Sequence, residues 1–228
     1  MGQLRCSITI SLDGYAAGPN QSAANPLGEG ARRLHEWVFP TRTFRAMLGG
    51  AGGETGVNDD VMREMFAHVG ATVMGRNMFG PVRGPWGENP WRGWWGETPP
   101  YGHPVFVLTH HARAPLVMAG GTTFHFVTDG IASALEQARV AAGDRDVNLA
   151  GGARTVQQFL AAGLLDELEL HVVPILLGGG ERLLDRVADE NVSLELVRTL
   201  AGPGVSHLKY RVLSPGNRGA GPAGEPAA

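Results

Sequence analysis

The chain of 228 residues has a single cysteine, Cys6, so it holds no internal disulfide framework and no cysteine zinc site. Cys6 sits in an alternating apolar segment with no cationic neighbour to lower its pKa, and it reads as a buried, inert thiol. No apolar run approaches the length needed to span a membrane. The N-terminus lacks a basic stretch followed by an apolar one and a cleavage site, so residence in the cytoplasm is expected. The formal charge is -3, without the basic stripe of a nucleic-acid binder. Internal repeats are missing. So are a Gly-x-Gly-x-x-Gly after the first strand and any Gly-x-Ser-x-Gly or Walker pattern, which argues against a Rossmann domain, a serine hydrolase and a P-loop enzyme.

What is present is an alternation of strands and helices, the pattern of an α/β sheet. Leu4, Cys6, Ile8 and Ile10 alternate through a first strand that ends at Asp13-Gly14. Ala31 to Leu48 fits an amphipathic helix broken near Pro40, inside a Gly-, Asn- and Pro-rich segment from Pro19 to Gly56 that reads as an insertion over a site. Asn58 is a candidate cap for a helix carrying Val61, Met62, Met65 and Phe66. Strands are expected at Ala71 to Met74, Val105 to Thr109 and Thr123 to Thr128, and a helix over Gly130 to Ala142. A helix over Ala153 to Leu164 precedes a strand from Leu168 to Leu177 running through Pro174, then a short helix from Leu183 to Val187. Val192 to Leu200 and Val205 to Leu213 form a closing hairpin. One domain, 1–213, with insertions at 19–56 and 80–104, is expected before a disordered tail, 214–228.

The most telling stretch is Val147 to Phe159, in which an apolar strand meets Gly151-Gly152 and passes directly into a helix. Glycine lets the backbone approach an anion, and the first-turn N–H groups of the helix point at it, so the junction fits a nucleotide diphosphate; it equally fits a plain tight turn. Gly75-Arg76-Asn77 repeats the arrangement, and two such junctions either hold two ends of one dinucleotide or serve as independent turns. Thr109-His110-His111-Ala112-Arg113 follows a third strand at the same sheet edge. With Arg76 it suits a phosphate monoester, which favours NADP over NAD, although these residues also read as ordinary solvated loop. A metal is not expected there, because adjacent histidines at a strand end point to opposite faces and no carboxylate stands at ligand spacing. Trp86, Trp91, Trp94 and Trp95 either stack on a flat ligand or anchor a long loop.

Taken in order, Ser11-Leu12-Asp13-Gly14-Tyr15, Met74-Gly75-Arg76-Asn77-Met78-Phe79, Gly151-Gly152-Ala153-Arg154, and Leu164-Leu165-Asp166-Glu167-Leu168 leading to Pro174-Ile175-Leu176-Leu177-Gly178-Gly179-Gly180 resemble the dihydrofolate reductase superfold. The resemblance is strongest to the reductase domain that forms the C-terminal half of the riboflavin-biosynthesis deaminase/reductase. It spans nearly all the chain except the tail. It implies a three-layer α/β fold whose central mixed, mostly parallel sheet of about eight strands ends in an antiparallel C-terminal hairpin. It also implies bound NADPH, hydride transfer to a small heterocycle, and a cis Gly151-Gly152 peptide. By matching position, Leu12, Asp13, Gly14 and Ala16 border the nicotinamide. Gly75, Arg76, Asn77 and Met78 hold phosphates together with Gly151, Gly152, Ala153, Arg154, Thr155 and Val156. Thr109, His110 and His111 take the adenosine side.

Dihydrofolate reductases carry a carboxylate at the start of the helix before the Met-Gly-Arg strand, and Asp59 or Asp60 occupies that place here. Such a carboxylate guides a proton to the acceptor, while either residue also serves as a first-turn acid favouring the helix dipole. The expected protein is thus an NADPH-dependent, homodimeric reductase of a small molecule. Its alternative is a homodimer that binds NADP(H) without turnover.

Overall fold

A computed structural model describes residues 2–81, 84–88, 90–185, 187 and 192–213. In chain order the elements are β1 (Leu4–Ser11), β2 (Tyr15–Ala17), α1 (Arg42–Met47), α2 (Val57–Phe66), β3 (Val69–Gly75), α3 (Arg76–Phe79), β4 (Pro104–Leu108) and β5 (Leu116–Val117). They continue with β6 (Thr123–Val127), α4 (Gly130–Ala142), β7 (Asp146–Gly151), α5 (Ala153–Ala161), β8 (Glu167–Val173), β9 (Glu181–Arg182), β10 (Ser193–Gly202) and β11 (Val205–Leu213).

Nine strands form one sheet in the order β10-β11-β8-β1-β7-β3-β4-β6-β5. The run from β8 to β6 is parallel, and the β10-β11 hairpin joins β8 antiparallel, so the sheet is mixed as expected. Every residue of β3 is buried, as befits a central strand covered on both faces. On one face Leu4, Cys6 and Ile10 pack with Ala134 and Ala138 of α4 and Val156 and Phe159 of α5. On the other, Trp37 and Val38 meet Val61 and Met62 of α2 over Val173 and Val205. Sheet and flanking segments therefore make three layers.

Several local expectations change. The ninth strand is β5, whose two residues pair antiparallel with β6 and are too few to show a period. The helix expected over Ala31 to Leu48 becomes a 3-10 turn at Ala31–His35 and the separate α1, capped by Thr41, whose hydroxyl accepts from Phe44 N–H at 3.3 Å. Gly56 stands at the N-cap of α2, so Asn58 lies within that helix and its side chain is used elsewhere. β8 stops at Val173, because Pro174 has no N–H to continue the ladder. The segment expected to open a short helix at Leu183 instead follows strand β9, which pairs with β2, and Leu183 N–H donates to Gly14 O at 3.0 Å. The tail expected at 214–228 lies outside the described residues. Among the described residues no helix is long and apolar enough to cross a membrane.

Phe159 is fully buried between α5 and the sheet. Phe159→Ala should cost about 3–5 kcal/mol through lost burial and a residual cavity, read as a lower urea midpoint with unchanged m-value.

Candidate active site

A cleft of about 880 Å³ opens along the carboxyl ends of β3, β4, β6 and β7 and extends across β1 toward α2. In open α/β sheets this edge is where ligands bind, since loops and helix N-termini converge there. One end is floored by glycine junctions, and the other is walled by Trp37, Phe39, Phe44, Met62, Met65 and Phe66.

The two junctions are neighbours. Met74 lies opposite Gly151 in the β3–β7 ladder, and a side chain at Gly75 would collide with the Thr155 hydroxyl. Gly151 has φ 105°, a conformation that favours glycine, and its peptide bond to Gly152 is cis. Gly152 caps α5, and a Cβ there would meet nothing within 4 Å, so the backbone stands open to the cleft. The N–H groups of Thr155 and Val156 return to Gly152 O at 2.9 and 3.1 Å, while Ala153 and Arg154 begin the helix and have no carbonyl one turn back. Gly152, Ala153, Arg154 and Thr155 line the cleft; Gly151 and Val156 are buried behind them as support.

Gly75, Arg76, Asn77 and Met78 line the same region, as do Thr109, His110 and His111. Arg76 is already organised: its guanidinium lies 3.0 Å from the Trp86 ring centre, and its nitrogens donate to Thr109 Oγ1 at 3.3 Å and Gly84 O at 3.4 Å. Trp86 is fixed in turn by its Nε1, which donates to His111 O at 2.9 Å. Arg113 turns the other way, donating to Trp91 O at 2.5 Å and packing 4.7 Å from the Trp86 ring. The tryptophans divide. Trp86 and Trp91 anchor the loop, the latter through Nε1 to Phe79 O at 3.0 Å, whereas Trp94 and Trp95 line the cleft.

Of the residues expected at the nicotinamide, Ala16 lines the cleft; Leu12, Asp13 and Gly14 do not. Leu12 is largely exposed and its N–H donates to Ile175 O at 3.0 Å. Asp13 braces the loop after β1 against the turn after β8, accepting from Ser11 Oγ at 2.6 Å and from the N–H groups of Leu177 and Gly178 at 3.1 and 2.7 Å. Gly14 accepts from Leu183, as described above.

The structure brings neither expected proton donor to the cleft. Asp59 is buried and accepts from Thr43 N–H at 2.7 Å, which ties α2 to α1. Burial works to raise its pKa, but the Thr43 hydrogen bonds and nearby Arg63 and Arg42 outweigh it and hold the carboxyl below its ordinary value. Asp60 is exposed and pairs with Arg63 at 2.7 Å. Asp59 thus serves the α1–α2 contact and Asp60 an exposed pair within α2. Among the described residues no three His, Cys, Asp or Glu side chains cluster as metal ligands. The sequence reading missed Ser7, Thr9 and Trp37, which line the apolar end of the cleft. A signal existed: Ser7 and Thr9 put polar groups on one face of a strand that ends up covered on both sides.

The mixed, mostly parallel sheet carries a cis Gly-Gly junction and an open cleft at its carboxyl edge, and the family that the chain matches is one of oxidoreductases of the dihydrofolate reductase-like class. Residues 3–207 match the model of the RibD C-terminal domain, and the chain belongs to that family. Among solved structures it is similar to a protein from Shewanella sp. PV-4 named for riboflavin biosynthesis, at 23% identity and TM-score 0.59, covering 93% of this chain and 99% of that one. A pyrimidine reductase-like protein from Corynebacterium diphtheriae matches at 13% identity and TM-score 0.54, with 93% and 92% covered. Acinetobacter baumannii RibD matches at 19% identity and TM-score 0.57, where 94% of this chain corresponds to 59% of that one. No curated protein sequence matches this chain closely enough to give a relative.

The Asp13 brace is testable through its charge. The Ser11 hydroxyl, helped by the Gly178 and Leu177 amides and opposed by burial, holds the Asp13 carboxyl down from 3.8 to about 2. A depressed folded-state pKa means its stabilisation is complete above 3.8 and is lost as pH falls through about 2. Asp13→Asn should therefore flatten the acid limb of the stability profile in that window, measured by urea unfolding at stepped pH.

Proposed function

We propose that this protein is an NADPH-dependent reductase that delivers hydride to a small, flat heterocycle of the pyrimidine or pteridine kind. The observation that carries the reading is the side-by-side placement of the Gly75 and Gly151-Gly152 junctions on one cleft, with Arg76 and Arg154 at its rim. A dinucleotide fits the donors present: amides at the start of α5 face the diphosphate, and the open backbone at Gly152 admits its close approach. Arg76, stiffened by Trp86 and Thr109, presents a planar cation suited to the additional phosphate of NADP. Thr109, His110 and His111 border the adenosine end. When bound, the nicotinamide supplies the hydride. The chain's part is to hold the acceptor against it, and the Trp37, Phe39, Phe44 and Met62 wall excludes water there. The names of similar proteins, a pyrimidine reductase-like protein and a uracil reductase among them, support the choice of acceptor class.

One observation favours a second reading, a protein that binds NADP(H) without turnover: neither Asp59 nor Asp60 reaches the cleft. NADPH oxidation measured across a panel of pyrimidines, pteridines and related heterocycles separates the two. Turnover with any member supports the reductase, and tight NADPH binding without oxidation across the panel supports the alternative.

Calorimetric titration should show NADPH binding more tightly than NADH, with Arg76→Ala reducing the difference to about twofold by removing the bidentate phosphate contact. Equal dissociation constants in the native protein would contradict the assignment. The reading also carries residence in the cytoplasm and a homodimer, the latter supported by Leu194, Leu196 and Val197, which stand exposed on the edge strand β10. Sedimentation at micromolar concentration should give the dimer mass with and without NADPH; a monomer in both would rule it out.

A further inference from the structure

Beneath the apolar end of the cleft lies a chain of polar groups that the proposed reaction does not yet use. Ser7 Oγ lies 2.7 Å from His171 Nε2, His171 Nδ1 lies 2.8 Å from His207 Nδ1, and His207 Nε2 lies 3.1 Å from Asn58 Oδ1. His171 and His207 are both buried, and the Trp37 ring packs 4.8 Å from the first and 5.0 Å from the second. Asn58 reaches this far because position 202 is glycine, where any side chain would overlap its Oδ1.

The hydrogen positions follow from the Asn58 end. Its Nδ2 donates to Pro203 O at 3.1 Å, and a carbonyl only accepts, so Oδ1 is the atom turned to His207. His207 Nε2 must then carry the hydrogen. In a neutral ring that leaves Nδ1 as acceptor, so His171 Nδ1 donates to it and His171 Nε2 accepts in turn. The Ser7 hydrogen is what His171 Nε2 accepts.

Both rings are held neutral. Burial keeps His171 well below its ordinary pKa, and a charge on it would be opposed further by Lys209 and by any charge on His207 or His35. Burial and Arg198 bring His207 down to about 4. The acids of that neighbourhood are already engaged: Glu64 pairs with Lys209 at 2.6 Å and Arg198 at 2.8 Å, Glu169 with Arg198 at 3.1 Å, and Glu167 with Lys209 at 3.1 Å.

Ser7 lines the cleft, so the consequence reaches the ligand. We propose that Ser7 Oγ is a specificity-determining residue that faces the ligand purely as a hydrogen-bond acceptor, its only hydrogen being committed to the His171–His207–Asn58 chain. It selects a ring that presents N–H or O–H at that point over one that presents a carbonyl or a methylated nitrogen. Thr9, two residues along the same strand, complements it: Thr9 Oγ1 accepts from Trp37 Nε1 at 3.3 Å and keeps its own hydrogen to donate. His171, His207 and Asn58 act through Ser7 and are positioning residues. The inference rests on the heterocycle-reductase reading for the class of ligand, and on the geometry together with the neutrality of both rings for the sign of the hydrogen bond.

Two probes of nearly the same shape test it: lumazine, which has ring N–H groups, and 1,3-dimethyllumazine, which has none. Their dissociation constants are measured by fluorescence on the full chain, with and without saturating NADP. The native protein should prefer lumazine by about tenfold, the effect of leaving a buried acceptor unpaired. Ser7→Ala should bring that preference within about twofold. Ser7→Cys should do the same, since it fills the space with a poor acceptor and so separates hydrogen bonding from room for the methyl groups. His171→Phe, which frees the Ser7 hydrogen to turn toward the ligand, should tighten binding of the dimethyl compound relative to lumazine. No preference in the native protein, or a preference that survives both Ser7 substitutions, would overturn the proposal. The expected shift in a protein that fails to bind NADP would uphold the Ser7 assignment while contradicting the reductase reading.

Discussion

The hydroxyl of Thr155, in the first turn of α5, rests against Gly75 at the end of β3, where a Cβ would overlap it unless the threonine turned away. That contact ties one glycine junction to the other. Because β3 and β7 are adjacent parallel strands, their carboxyl ends already lie side by side; the missing Cβ allows α5 to begin over that pair rather than beside it. The open amides of α5 and the side chains of Arg76 and Asn77 consequently face a common space. Without this close approach the strands would still pair and the core would still close, but the cleft would lose its convergence of donors.

The rest of the site is arranged around that point by contacts that stiffen it. Arg76 is held between the Trp86 face and Thr109, and Trp86 is held by His111. Asp13 fastens the loop after β1 to the turn after β8 through two backbone amides, so two segments more than 160 residues apart in sequence are tied together. A preorganised site of this kind spends little ordering entropy when its ligand arrives. The opposite end differs in character: an apolar wall from α1, α2 and the segment before them stands over a polar floor set by β1. One end suits a dianionic phosphate, the other a flat ring.

Elements with strong local periodicity were legible in the chain alone. The helix Gly130–Ala142 carries Ala134, Leu135, Ala138 and Ala142 on its buried side, and the structure gives it the expected bounds. The Val147 to Phe159 crossover and the closing hairpin were legible for the same reason. What escaped depends on partners distant in sequence. His171 and His207 are 36 residues apart and meet only because β8 and β11 pair in that register. Asn58 looked like a cap but reaches across to His207, and Asp59 looked like a cleft acid but is taken by Thr43. Strand β9 escaped for the same reason, since it forms by pairing with β2, and Gln157 Nε2 of α5 donates to the Arg182 and Leu183 carbonyls beside it.

The claim on which the functional reading stands is that both glycine junctions grip one diphosphate. A crystal structure of the NADPH complex tests it most directly. The expected result has the diphosphate against the amides of Ala153 and Arg154 and beside Gly75 and Asn77, the Arg76 guanidinium at the additional phosphate, and the nicotinamide turned toward Ala16 and Ser7. NADPH seated elsewhere on the chain, or touching only one of the two junctions, would contradict it.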